Sequence, residues 1–275
     1  MGASAPRIVV AGGSLAGLSA ALWLRAAGCD VDVLERSRRP LEGQGAGIVL
    51  NPATIRWFTE QEERGVDELG VAVEHLRYMG VDGEVVEEHR EPYVLASYDT
   101  LYRNLLAAFG TERYHLGCEV MAGGSDERGI TAALADGGRR GADLLVWADG
   151  IGSAGRDQLT PEADRRYAGY VAWRGTLPPE HLSEPTREAL RNAVTYCVLD
   201  DSHFITYPIP AGDGEVRNWL WYHNTPAGRV LEALMTDRTG QRRPVSVPPG
   251  TVADNHLAAL RTRAGDLLPA PLLEV

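Results

Sequence analysis

The chain has 275 residues, enough for one large domain or two modest ones, and its 44% hydrophobic and 24% charged residues are those of a folded chain rather than a disordered one. A formal net charge of −11 without any basic stripe argues against a nucleic-acid binder. No apolar run reaches the ~18 residues of a membrane span, no signal-peptide pattern opens the chain, and Cys29, Cys118 and Cys197 are too dispersed for a metal or redox motif, so reduced thiols in the cytoplasm are expected.

The first apolar run, Arg7-Ile-Val-Val-Ala11, reads as a buried strand. Gly12-Gly-Ser-Leu-Ala-Gly17 follows at once, then Leu18 to Ala27 with good helix formers, a capping Gly28, and a second strand Val31-Asp-Val-Leu-Glu35. This strand, turn, helix and strand is the context a dinucleotide-binding fingerprint requires. Amide N–H groups at the helix start, on Leu15 and Ala16 among others, would face a pyrophosphate, and Gly17 would let helix and strand pack closely. Glu35, 23 residues after Gly12, is placed to accept hydrogen bonds from a ribose diol. Ser14 stands where the usual pattern has its second glycine, and serine is small enough to keep the approach open. Arg36 after the acid would suit a 2′-phosphate, but the next segment argues for a different nucleotide.

Gly43-Gln-Gly-Ala-Gly-Ile-Val-Leu-Asn-Pro52 is a second glycine-rich stretch. Here the sequence resembles the FAD-dependent aromatic hydroxylases, whose Gly-x-Gly-Ile-type segment approaches the flavin with backbone. The resemblance places Gly45, Gly47 and Val49 by the ring system and Gly12, Ser14, Leu15, Ala16, Gly17, Glu35 and Arg36 at the ADP half. The acidic run from Glu60 to Glu68 reads as a solvated helix face.

Tyr98 to Phe109 reads as a helix with Leu101, Leu105, Ala108 and Phe109 on one face, capped by Asp99 or Thr100. Its Arg103 matches the family's arginine near the flavin phosphates and ribityl chain. Ala142 to Arg156 carries an apolar strand ending at Asp149-Gly150, which resembles the family's Asp-Gly motif on the flavin side, with Trp147 where the family usually has glycine. Ile151-Gly-Ser-Ala-Gly155 nearly fits a serine-hydrolase elbow, but its first glycine is missing and no triad follows.

Beyond Arg165 the texture is β-rich and aromatic, with strands over Tyr167 to Leu177, Ala193 to Asp200, His203 to Tyr207 and Val216 to His223. Arg77 to His89, around Asp82-Gly83, reads as a hairpin joining the same sheet. Trp219 and Trp221 fall on one face of their strand, and Leu220 and Tyr222 on the other. The segments Tyr167 to Gly175, Leu199 to His203, Tyr207 to Pro210 and Leu234 to Asp237 are more similar to hydroxypyridine-hydroxylating members than to phenol-hydroxylating ones.

The expected fold is α/β: a Rossmann-like FAD-binding domain (1–74 and 92–166), a mixed or antiparallel β-sheet substrate domain (75–91 and 167–250) and a helical start of a C-terminal region (251–275). The resemblance implies a monooxygenase that takes electrons from NADPH or NADH onto FAD, forms a C4a-hydroperoxyflavin with O2, and hydroxylates a small electron-rich hydroxylated aromatic or heteroaromatic ring. His203, Tyr207, Pro208 and Trp221 are pocket candidates, with His203 a candidate base. No metal, membrane or nucleic-acid partner is expected, and a homodimer is left open. Family members also carry a later Gly-Asp motif that has no counterpart here, so a fragment, a split half or a non-catalytic nucleotide-binding module is the alternative. A halogenase is disfavoured because Trp219-Leu-Trp-Tyr-His223 lacks the expected final isoleucine.

Overall fold

Runs of apolar residues broken by turn residues build three sheets, and the chain contributes to the seven-stranded one in separate stretches. The computed structural model describes residues 4–43, 47–127 and 129–275, so the expected role of Gly45 lies outside the described residues. In chain order the elements begin with β1 (Arg7–Ala11), α1 (Leu15–Ala26) and β2 (Asp30–Glu35), then β3 (Gly47–Val49) and α2 (Pro52–Gln61). There follow the long hairpin β4 (Val71–Met79) and β5 (Val85–Ser97), α3 (Tyr98–Phe109), and β6 (Tyr114–Leu116). Next come β7 (Val120–Asp126), β8 (Gly129–Leu134), β9 (Arg139–Ala142), β10 (Leu144–Trp147) and α4 (Ala154–Leu159). The remainder is β11 (Tyr170–Leu177), α5 (Glu184–Ala189), β12 (Ala193–Leu199), β13 (Ser202–Ala211), β14 (Gly214–Asn224), α6 (Arg229–Leu234), α7 (Asp254–Leu267) and α8 (Ala270–Leu273).

The described residues form two compact units: 4–43, 50–69 and 97–165 make the first, and 47–49, 70–96 and 166–275 the second. Residues 70–74 and 92–96 group with the second unit, not with the nucleotide-binding part, because the hairpin strands are longer than the sequence pattern suggested. The C-terminal stretch from residue 251 packs into the second unit through Leu260, Leu268 and Leu272 instead of standing apart.

In the first unit a parallel sheet has the order β10-β1-β2-β6. Its central strand β1 is a near-continuous apolar run, as a strand covered on both faces requires, while β2 buries Val31, Val33, Leu34 and Glu35 and keeps Asp30 and Asp32 partly exposed. Helices α1 and α3 pack together on one face. The other face buries Val9, Ala11 and Leu34 against Val120, Ala132, Leu134 and Ala142 of the antiparallel sheet β7-β8-β9. That third layer left little trace in the sequence, since Ala122-Gly-Gly-Ser125 and Thr131-Ala-Ala133 carry few large β formers. Trp147 fits here because Gly155 lies against its indole, where a Cβ would overlap the ring. Two expectations change. Ser97, not Asp99 or Thr100, caps α3 by accepting the Thr100 N–H at 3.0 Å. The acidic run is not one helix face, because α2 stops at Gln61 and Glu63 takes a positive φ of 54°.

The second unit is a seven-stranded mixed sheet, β11-β14-β13-β12-β4-β5-β3. Pro208 and Pro210 are tolerated in β13 because β12 pairs only with Ser202 to Thr206, so beyond that point one side of β13 needs no amide donors. Helices α7 and α8 cover one face through Leu260, Ala264, Leu267, Leu268 and Leu272. The sheet curls: β3 pairs at the β5 edge, yet Gly47 reaches Tyr207, Ile209 and Asn218 of β13 and β14. No helix among the described residues is long and apolar enough to cross a membrane.

Candidate functional site

The turn after β1 is made by backbone rather than side chains. A Cβ on Gly17 would overlap the carbonyl oxygen of Gly12, so only glycine lets α1 start this close to the strand. Glu35 at the end of β2 is buried, and its two oxygens accept the Gly13 N–H and the Ser37 N–H, both at 2.8 Å. Each oxygen keeps a second lone-pair direction. Tyr114 donates its hydroxyl to the Gly13 carbonyl at 2.8 Å and touches the Tyr102 hydroxyl at 3.2 Å. Burial pushes the Tyr114 phenol far above its ordinary range, so it stays a donor at all physiological pH. Tyr98 lies 2.7 Å from Ser14 Oγ. Neither tyrosine was singled out by sequence reading, since an aromatic in a helix or a short strand reads as core.

Leu15, Ala16 and Gly17 open α1, and no side chain caps it: Ser14 occupies the N-cap position without a side-chain bond to the helix, and the first turn has no acidic residue. The positive end of α1 is therefore left for an external anion. Asp149 follows β10, and its Cα lies 3.0 Å from where a Cβ on Gly12 would stand. One oxygen of Asp149 accepts the Ala154 N–H at 2.7 Å, while Oδ1 is buried without a partner. Gly150 takes a positive φ of 79° at the same turn. Arg103 lies on the exposed side of α3, bonded to Asp99 at 2.9 Å and to Glu42 at 3.4 Å. Arg36 is exposed and makes no hydrogen bond or ion pair among the described residues.

A separate pocket of about 300 Å³ lies wholly within the second unit, lined by Gly47, Val49, Tyr196, His203, Ile205, Tyr207, Leu220 and Tyr222. Strand alternation explains the set: His203, Ile205 and Tyr207 of β13 face the same way as Leu220 and Tyr222 of β14. The rings form a tier. His203 stacks on Tyr222 at 4.6 Å between centroids and lies 6.4 Å from Tyr196, which in turn stacks on Tyr78 at 5.7 Å. Gly47 sits against the Tyr207 ring, where any side chain would collide, and its N–H donates to Asn218 Oδ1 at 3.3 Å. Burial, reinforced by the neighbouring Tyr222 and Tyr196, pushes the Tyr207 phenol up to about 12, so at neutral pH it is a neutral donor. Tyr196 and Tyr222 are raised for the same first reason, burial.

Two sequence candidates fall outside this pocket. Trp221 points to the opposite face, into the core formed with Met79, Leu190, Cys197, Phe204, Leu268 and Leu272. Pro208, between Tyr207 and Ile209, shares that opposite face. Both corrections have one cause. The alternation separates the two faces correctly, but the larger aromatics of β14 fill the side that the C-terminal helices cover. Tyr222, on the face opposite to Trp221, is the β14 aromatic that lines the pocket.

Comparison with known proteins decides the family. The chain is 36% identical over 271 residues to 2,6-dihydroxypyridine 3-monooxygenase of Paenarthrobacter nicotinovorans, covering 97% of this chain and 68% of that protein. The chain belongs to the FAD-dependent aromatic monooxygenases. Residues 167–275 match the family model described as FAD binding domain-like. The solved 2,6-dihydroxypyridine-3-hydroxylase from Arthrobacter nicotinovorans superposes with a TM-score of 0.93 at 35% identity, over 99% of this chain and 70% of that one. A FAD-dependent urate hydroxylase of Mycolicibacterium vanbaalenii is 30% identical, over 79% of this chain and 61% of that protein. A variant of Klebsiella pneumoniae HpxO complexed with FAD superposes with a TM-score of 0.70 at 26% identity, over 83% and 60%. The chain thus spans about two thirds of the length of that 2,6-dihydroxypyridine 3-monooxygenase and less of the urate hydroxylase.

The residues of this chain fit the flavin nucleotide that the family binds. An uncapped helix start and an orphaned Asp149 oxygen beside a turn that excludes Cβ atoms supply a donor set and an acceptor with no partner among the described residues, and the buried Glu35 at the end of β2 keeps spare acceptor capacity.

Proposed function

We propose that this chain is the FAD-binding and ring-binding part of a monooxygenase that hydroxylates a small, electron-rich hydroxylated aromatic or heteroaromatic ring, using NADH or NADPH and O2. A cytoplasmic location goes with this reading. When bound, FAD would collect the reducing equivalents and activate O2, chemistry that no side chain can supply. The N–H groups of Leu15, Ala16 and Gly17, with Gly12 and Ser14, would hold the pyrophosphate, and Glu35 the ribose, with Arg36 beside it. Arg103, Asp149 and Gly150 would brace the rest of the nucleotide, and Gly47 and Val49 would offer backbone to the ring system.

The observation that carries the reading is the aromatic pocket of the second unit. Its aromatic rings, with the apolar Ile205 and Leu220, match a flat ligand. Tyr207, held protonated, would donate to a ring oxygen. His203, which lines the same pocket, would take the proton of a ring hydroxyl, which makes the ring a better nucleophile.

The test is to load the purified chain with FAD, measure the bound-flavin ratio, and follow NADH and NADPH oxidation while adding hydroxypyridines and hydroxybenzoates. Oxidation stimulated by a ring, with hydroxylated product, is the expected result. Stoichiometric flavin without any ring-stimulated oxidation would leave a nucleotide-binding module in its place.

A further inference from the structure

Ser14 behaves unlike every comparable cap in the described chain. Asn51, Ser97, Ser153 and Ser183 each start a helix, and each side chain accepts a backbone N–H of that helix. Such caps are favourable, so a serine at this position is expected to do the same. Ser14 starts α1 and does not. Its Oγ is instead 2.7 Å from the hydroxyl of Tyr98, the first residue of α3. Tyr98 itself is held in place by stacking on Tyr102, with centroids 6.0 Å apart and planes within 8°.

The direction of that bond matters. A phenol is the more acidic hydroxyl and the better donor, and burial raises the Tyr98 phenol, so it stays protonated. Tyr98 donating to Ser14 Oγ leaves the Ser14 proton with no fixed acceptor. A phosphate oxygen is purely an acceptor and matches it. The buried, unpartnered Asp149 Oδ1 beside the same turn is a separate sign that this corner is completed by a ligand.

We infer that Tyr98 is a positioning residue of the dinucleotide site: its hydroxyl holds Ser14 away from its own helix, so that the α1 amides and the Ser14 hydroxyl both remain free for the pyrophosphate. This rests on the nucleotide-binding reading above. It also explains how the chain does without the second glycine of the fingerprint. Glycine would open the approach only by being small; Ser14, held by Tyr98, opens it and adds a donor.

The experiment is a double-mutant cycle of Tyr98→Phe and Ser14→Ala, read by titration with FAD and, separately, with ADP. The unfolding temperature of the flavin-free protein is measured alongside. Tyr98→Phe should weaken both ligands about tenfold, the value of one charge-assisted hydrogen bond. Ser14→Ala should do the same, and the double variant should be no worse than Ser14→Ala. The flavin-free Tyr98→Phe protein should melt at or above the wild-type temperature, because the released Ser14 can then cap α1. Three results would overturn the inference: unchanged affinities in Tyr98→Phe, a further loss when it is added to Ser14→Ala, or a fall in flavin-free melting that tracks the lost affinity. ADP binding that follows the cycle in a chain that never retains FAD would keep the inference and sink the flavin reading. A wild-type chain that binds neither ligand would sink both.

Discussion

The two units of this chain present their candidate sites in opposite ways. In the first, the turn between β1 and α1 is shaped by backbone: glycines that admit no Cβ, amides without a cap, and one buried acid. In the second, the pocket is shaped by side chains that share one face of β12, β13 and β14, with Gly47 and Val49 of β3 beside them. A backbone site needs particular residues at particular spacings, so it writes a motif. A side-chain site on a sheet needs only large apolar or aromatic residues in alternation, which is also what a core needs.

The sharpest way to probe that contrast is to change the two faces of one strand. Trp221→Ala should cost about 3–5 kcal/mol of stability by leaving a cavity under α7 and α8, measured by denaturant unfolding. Tyr222→Ala, one residue on, should cost only about 1 kcal/mol but weaken binding of an aromatic ligand. Equal stability losses, or a ligand effect confined to Trp221→Ala, would place the pocket on the wrong face.

A smaller effect is expected from His223, on the same covered face. Burial first, then the nearby Arg263, lowers its imidazole to about 4 from an ordinary 6.5, and its Nε2 has no partner. The folded protein refuses a proton that the unfolded chain accepts. The stability is complete above pH 6.5 and drains away as pH falls toward 4. Unfolding midpoints of His223→Asn across that window should fall less steeply than those of the wild type; parallel curves would show that the imidazole is not held neutral.

The smallest change should come from the first unit. Arg103→Ala removes only solvent-exposed ion pairs with Asp99 and Glu42, worth about 0.5 kcal/mol or less. Stability should barely move in thermal unfolding. A large loss of FAD affinity in the same variant would show that this side chain, unlike the backbone turn, recognises the nucleotide directly.

These contrasts parallel what could be read without coordinates. Gly12, Gly17 and Glu35 were legible because each answers a local demand: a tight turn, a close helix start, a carboxylate at a strand end. The hairpin around Asp82-Gly83 and the strands of the second half were legible from turn residues and β-branched or aromatic runs. The β7-β8-β9 layer was not, because its small residues pack against a sheet that supplies the bulk. Tyr98 was not, because its partner Ser14 lies 84 residues away.

The sequence by itself determined the dinucleotide turn and which side chains of each strand share a face, since both follow from spacings along one chain, and its resemblance to known hydroxylases pointed to the family. Only the tertiary structure decided which of the two faces is covered. Helices α7 and α8 come from the end of the chain and bury Trp221, while the curl of the sheet brings Gly47 against Tyr207 and makes the other face a pocket. Alternation is a local property of a strand; coverage depends on where distant segments pack.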